Sequence, residues 1–113
     1  YTAIKNWSAA SRGIEFNITI EYLWELFLFQ ERRCVYTGEI LRFGSTKNDS
    51  SKTASLDRID SSKGYIVGNV VWCHKKINVL KMDLKIDEFF NLCKKVNKYE
   101  KASKAVISTI ING

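Results

Sequence analysis

Ala54-Ser-Leu-Asp-Arg-Ile-Asp-Ser-Ser-Lys-Gly-Tyr65, followed two residues later by Gly68-Asn-Val-Val-Trp-Cys-His-Lys-Lys-Ile-Asn-Val-Leu-Lys-Met82, is the stretch that decides the fold. Residues 56–60 read as a short strand and the polar run 61–64 as a turn. Residues 69–73, rich in β-branched and aromatic side chains, read as a second strand. From 75 to 82, Ile77, Val79 and Leu80 fall at helical spacings. Strand, loop, strand, helix is thus the expected centre. Polar residues recur in it where a core would not ask for them: Asp57, Arg58, Asp60, Asn69, His74 and Asn78. His74 and Asn78 stand four apart on the expected helix, which places both on one face. A strand carrying Asp57 beside that face adds a carboxylate. Carboxylate, imidazole and amide oxygen suit Mg²⁺, Mn²⁺ or a similar ion, with positions left for water and phosphate. A lone histidine on a helix is more often an ordinary surface or core residue, so the spacing alone leaves both readings open.

Working outward, residues 2–11 form a short expected helix with Ile4 and Trp7 on one side, stopped at Gly13. Thr19 has the character of an N-cap, with Glu21 in the favourable first turn. Between 20 and 30, Leu23, Trp24, Phe27 and Leu28 recur at helical spacing and make an apolar face suited to a core. Residues 34–43 read as a hairpin or irregular β element around Thr37-Gly38, and the polar run 44–53 as a loop. On the far side, 87–96 is a second helix with Lys94 and Lys95 in its last turn. A weaker third helix over 98–113 turns Ile107, Ile110 and Ile111 inward, against a Val, Ile and Thr content that disfavours helix. The expected class is α+β: a small single domain over residues 1–113. Its N-terminal region (1–33) is expected to be helical, its centre spans 54–83, and a C-terminal helical region covers 86–113.

The chain has 113 residues, enough for one domain with a modest core, and 45% are apolar, which argues against disorder. There is no proline, no internal repeat and no low-complexity run. The longest membrane candidate, 22–29, is broken by Glu25. Residues 1–17 mix charge, Ser and Gly instead of a secretory pattern, and an opening Tyr1 is compatible with numbering inside a longer product. Three cysteines (Cys34, Cys73, Cys93) without repeated spacing favour free thiols and a reducing, cytoplasmic setting. A net charge of +6 and a sequence pI near 9.3 suit a polyanionic partner.

The central stretch closely resembles the HNH (ββα-metal) endonucleases of phages and bacteria. Arg12-Gly-Ile-Glu-Phe16, Gln30 with Cys34-Val-Tyr-Thr-Gly38, and Asp87-Glu-Phe-Phe-Asn-Leu-Cys-Lys-Lys-Val96 extend that resemblance from about Arg12 to Val96. It implies two short antiparallel strands and a helix clamping one divalent ion, Mg²⁺ or Mn²⁺, against a DNA duplex. Asp57 matches the metal ligand of the first strand. Asn69 matches the middle Asn, which ties the loop and orients the base. His74 and Asn78 match the helical motif, with Asn78 the firmer ligand. The implied activity is phosphodiester hydrolysis of DNA, with nicking the default for a single active site, and the chain is a monomer or a homodimer.

Two departures stand out. Arg58 sits where many such enzymes place the catalytic His, and a guanidinium cannot accept a proton at neutral pH. The base is then His74, Asp60 or water activated by the ion itself, and Arg58 is a ligand of the scissile phosphate or, as the plainer alternative, only an ion-pair partner of Asp57 or Asp60. Many of the family also brace the fold with zinc between two Cys-x-x-Cys pairs. Here Thr37 follows Cys34 at the partner position, and His74 and Ile77 stand where the second pair falls, so no structural zinc is expected. Cys73 and Cys93 are expected as buried small hydrophobes. Lys63, Lys75, Lys76 and Lys81, with Lys47, Lys52 and Lys85 nearby, are the expected phosphate contacts. Two rivals are a DNA-binding module with a decayed site and the catalytic fragment of a larger homing or restriction enzyme.

Overall fold

The elements, in order, are β1 (Phe16–Asn17), α1 (Ile20–Phe29), β2 (Ala54–Arg58), β3 (Tyr65–Ile66), β4 (Val70–His74), α2 (Lys75–Lys81) and α3 (Ile86–Asn112). This computed structural model describes residues 13–45 and 50–113, so the expected helix over 2–11 and Lys47 lie outside the described residues. The fold is mixed α/β, with three helices and two small sheets among those residues. Contacts divide the chain into two compact units, one ending at Asp83 and one beginning at Leu84.

The first unit is organised on the antiparallel β2–β4 pair, in which Ala54 faces His74, Leu56 faces Trp72 and Asp57 faces Val71. Side chains alternate along a strand and cross-strand partners share a face. Ala54, Leu56, Trp72 and His74 therefore leave on one side, and Ser55, Asp57, Val71 and Cys73 on the other.

The first side takes α1. Its Thr19 N-cap accepts from the Tyr22 N–H at 3.1 Å, and Leu23 and Phe27 are buried. Phe27 meets the Trp72 ring edge-on with centroids 5.5 Å apart, and the Trp72 indole N–H donates to the Leu23 carbonyl at 2.9 Å. The helix ends at Gln30, where the chain turns through left-handed Glu31 and Arg32 (φ 56° and 61°). The Gln30 amide then behaves as a short piece of strand. It donates to the Trp72 carbonyl and accepts from the Trp72 N–H, both at 2.9 Å.

The second side takes α2, which follows β4 without a linker. The expected strand over 56–60 is displaced: β2 runs from Ala54 to Arg58, and Asp60 lies in the turn. Between α1 and β2 the described residues are irregular, and Arg33 and Ile40 form an isolated antiparallel bridge. Its backbone donors go elsewhere, Val35 N–H to the Trp72 carbonyl at 3.1 Å and Leu41 N–H to Arg32 at 2.7 Å. A parallel two-residue sheet joins β1 to β3, and the Tyr65 N–H donates to the Glu15 carbonyl at 2.8 Å. Only glycine fits before it, because a Cβ on Gly64 would stand 2.6 Å from that oxygen.

The second unit contains α3, one helix of 27 residues instead of the two expected. No Gly or Pro interrupts it, and Glu88 accepts from the Lys85 N–H at 3.2 Å at its start. Ile107, Ile110 and Ile111, expected to face inward, are 54%, 73% and 75% exposed, and Cys93, expected to be buried, is exposed. No helix among the described residues is long and apolar enough to cross a membrane.

Candidate functional site

Asp57 is the only carboxylate buried in the first unit's described core, at 6% exposure, and two donors hold it. The Tyr36 hydroxyl donates to Oδ2 at 2.6 Å. The Lys81 ammonium, 1% exposed, lies 3.1 Å from Oδ2 and 3.4 Å from Oδ1. Burial and the carboxylate together push the Tyr36 phenol well above its usual range, so it remains a donor. Burial, then the Asp57 charge, likewise pushes the Cys73 thiol up.

Asn78 reaches the same region from α2. Its Nδ2 donates to the Ser55 hydroxyl at 2.8 Å and the Leu56 carbonyl at 3.1 Å, which leaves Oδ1 as the acceptor it offers. Asp57 and Asn78 line one cavity of about 190 Å³ with Arg58, Ser61, Tyr65, Val79, Met82 and Asp83. Two oxygen donors, one anionic, fit a hard divalent cation that keeps much of its water.

His74 is not brought to this cavity. It is the N-cap of α2, with extended backbone (φ −70°, ψ 135°), so the one-turn relation to Asn78 does not hold. Strand alternation sends it to the face away from Asp57. Its Nδ1 accepts from the Lys76 N–H at 3.1 Å, and its own backbone N–H donates to the Cys34 thiol. Burial opposes ionisation at Cys34, but that bond, with those from the Thr37 side chain and the Thr37 and Tyr36 backbone, outweighs it and lowers the thiol's pKa. Among the described residues no group of three or more His, Cys, Asp or Glu side chains is placed to hold a metal ion.

The remaining expected residues sort by position. Arg58 donates through Nη1 to the carbonyls of Ser61 (2.7 Å) and Lys63 (3.0 Å), and its guanidinium lies 5.4 Å from the Tyr65 ring centroid. It braces the turn while also lining the cavity. Asp60 does not continue the strand beside Arg58. It is exposed, and its Oδ1 accepts from both the N–H and the hydroxyl of Ser62, at 2.9 and 2.6 Å. Asn69, 6% exposed, clasps that loop, accepting from Asp60 N–H at 2.9 Å and donating to the carbonyls of Asp60 (3.1 Å) and Gly64 (2.8 Å). Lys63, Lys75 and Lys76 are exposed. Lys81, expected among the phosphate contacts, is instead sealed against Asp57, because a buried ammonium needs a counter-charge.

Against known proteins, the chain is similar to an uncharacterized 29.0 kDa protein from the dda-modA intergenic region of Enterobacteria phage T4. The identity is 31% over 81 residues, which is 72% of this chain and 30% of that protein. The chain thus spans well under half of the length of this relative. No protein-family profile matches it. No solved structure matches it either.

Tyr36 and Asp83 are residues of this site that sequence patterns did not place, and Lys81 was expected on phosphate and not on Asp57. Lys81 carried a usable signal, since it lies three residues after Asn78 and so on the same helix face. Tyr36 carried none, because an irregular segment 21 residues before Asp57 has no period to project. Asp83 lies beyond the end of α2, where helical spacing no longer applies.

Proposed function

We propose that this chain is a divalent-metal-dependent DNA endonuclease of the HNH (ββα-metal) type, hydrolysing phosphodiester bonds and nicking one strand at a time. The observation that carries the reading is the convergence of Asp57 from β2 and Asn78 from α2 on one cavity beside Arg58. In this reading β2, β4 and α2 are the ββα unit. The Asp57 carboxylate and Asn78 Oδ1 hold one Mg²⁺ or Mn²⁺, which when bound supplies the positive charge that polarises a scissile phosphate.

This chain's own residues do the rest. Tyr36 fixes the Asp57 carboxylate, and Ser55 with the Leu56 carbonyl fixes the Asn78 amide. Arg58, permanently charged, binds the phosphate and offsets its growing negative charge. Asn69 keeps in shape the loop that follows Arg58. Asp83, the other carboxylate of the cavity, accepts the proton of the attacking water, a task that His74 and Asp60 are not positioned to perform. Exposed Lys63, Lys75 and Lys76 contact flanking phosphates.

Supercoiled plasmid incubated with the protein and Mg²⁺ or Mn²⁺ tests this. Conversion to open circles is expected, with loss in Asp57→Asn and Asn78→Ala; binding without cleavage under every metal would sink the reading. That outcome is the second reading, a DNA-binding module without cleavage, favoured by the ammonium already seated on Asp57. A further reading is the catalytic portion of a larger homing or restriction enzyme, with target specificity residing elsewhere.

A further inference from the structure

Lys81 is among the most completely buried large side chains of the described residues, and its ammonium straddles both oxygens of Asp57. With the Tyr36 hydroxyl on Oδ2 as well, the carboxylate is already supplied with one full positive charge and one neutral donor. A divalent ion drawn to Asp57 would meet that ammonium within a few ångströms, in a setting where water screens little. Both cations cannot share the carboxylate at that range without strong repulsion. The backbone next to Lys81 is also strained. Met82 has φ 50° and ψ −127°, a conformation that side-chain-bearing residues rarely adopt. The Lys81–Asp57 ion pair ties this end of α2 to β2, and Met82 and Asp83 border the cavity beside Asp57.

We infer that Lys81 is an internal cation that keeps the Asp57 site closed, and that a divalent ion binds by displacing its ammonium from the carboxylate. This rests on the reading of Asp57 as a metal ligand. Lys81 is a positioning residue in this scheme: it sets the affinity of the site for the ion and touches no substrate. It also gives the site a resting state in which its one buried carboxylate is not left unpaired.

Amine acylation read by peptide mass spectrometry tests this on the wild-type protein. Lys81 should label slowly without metal and several-fold faster with saturating Mn²⁺, while Lys63, Lys75 and Lys76 change little. Calorimetric titration with Mn²⁺ should show Lys81→Met binding about ten-fold tighter than wild type or more, the usual span of a coupling between two sites. Unchanged Lys81 labelling in a protein that calorimetry shows to be metal-loaded overturns the inference, as does equal or weaker binding by Lys81→Met, or no binding by either protein. Should Lys81→Met fail to fold, the labelling decides alone. Plasmid nicking separates the two proposals. Nicking with no Lys81 response overturns this inference and leaves the nuclease standing; displacement with no nicking does the reverse.

Discussion

In the β2–β4 pair His74 stands opposite Ala54 while Asp57 stands opposite Val71, so imidazole and carboxylate leave the sheet on opposite faces. The single histidine of the chain is thereby assigned to helix capping instead of chemistry. His74→Ala should keep nicking within a few-fold of wild type and lose about 1 kcal/mol of stability through the missing cap. Asp57→Ala should lose nicking altogether. Parallel rate and denaturation measurements check both, and an equal loss of rate in the two variants would contradict the face assignment.

Under the proposed nuclease reading, Asp83, the second carboxylate lining the cavity, takes the proton of the attacking water. Asp83→Asn should lower the nicking rate by about 10²-fold or more, the usual worth of a general base, with Mn²⁺ binding little changed. Asp60→Asn should leave the rate nearly intact, since that side chain shapes the turn through Ser62. Single-turnover rates under saturating metal separate the two variants.

The Asp57–Lys81 pair has a thermodynamic signature of its own. Removing one partner strands a buried charge, so Lys81→Met should cost about 3–5 kcal/mol. Adding Asp57→Asn to it should restore much of that loss. A double-mutant cycle in urea measures the difference; additive losses would mean that the two groups are not coupled.

Gly64→Ala places a methyl 2.6 Å from the Glu15 carbonyl oxygen, against backbone that cannot turn aside. A loss of about 1–3 kcal/mol is expected as the β1–β3 pairing gives way. Denaturant midpoints measure it, and a neutral result would show that this small sheet contributes nothing to stability.

Tyr36 and Cys73 both ionise less readily in the folded chain, mainly through burial and then through the Asp57 carboxylate. Their usual values are 10.0 and 9.0, so the stability they contribute is whole below those values and is lost as pH rises above them. The unfolded chain releases its protons first there, which tilts the balance toward unfolding. Melting temperature should therefore fall steeply between about pH 9 and 11. Tyr36→Phe should flatten that fall while costing about 1.5–3 kcal/mol at neutral pH, the worth of a hydrogen bond to a charged group.

The strands β2 and β4 and the helix after them are legible in the sequence, because period-two and helical patterns are local, whereas the two-residue β3 between the strands is too short to show a period. The approach of Asp57 to Asn78 comes from the packing of α2 against β2, where the Asn78 amide meets Ser55 and the Leu56 carbonyl. What local spacing misreads is the junction. Counting four residues from His74 to Asn78 assumes one helix, yet His74 is the last residue of β4 and obeys the alternation of the sheet. The burial of Lys81 is decided by the fold, since its Cα belongs to a seven-residue helix and the strand beneath supplies the charge that makes burial tolerable. The same holds for Tyr36, brought to Asp57 by an irregular segment without period, and for α3, whose continuity could not be read from a Val-, Ile- and Thr-rich end. Sequence determined the strand and the helix that carry Asp57 and Asn78, because their periodic patterns are local. Tertiary structure decided which way each of them points, because facing depends on where strand ends, where helix begins and which charge waits across the gap.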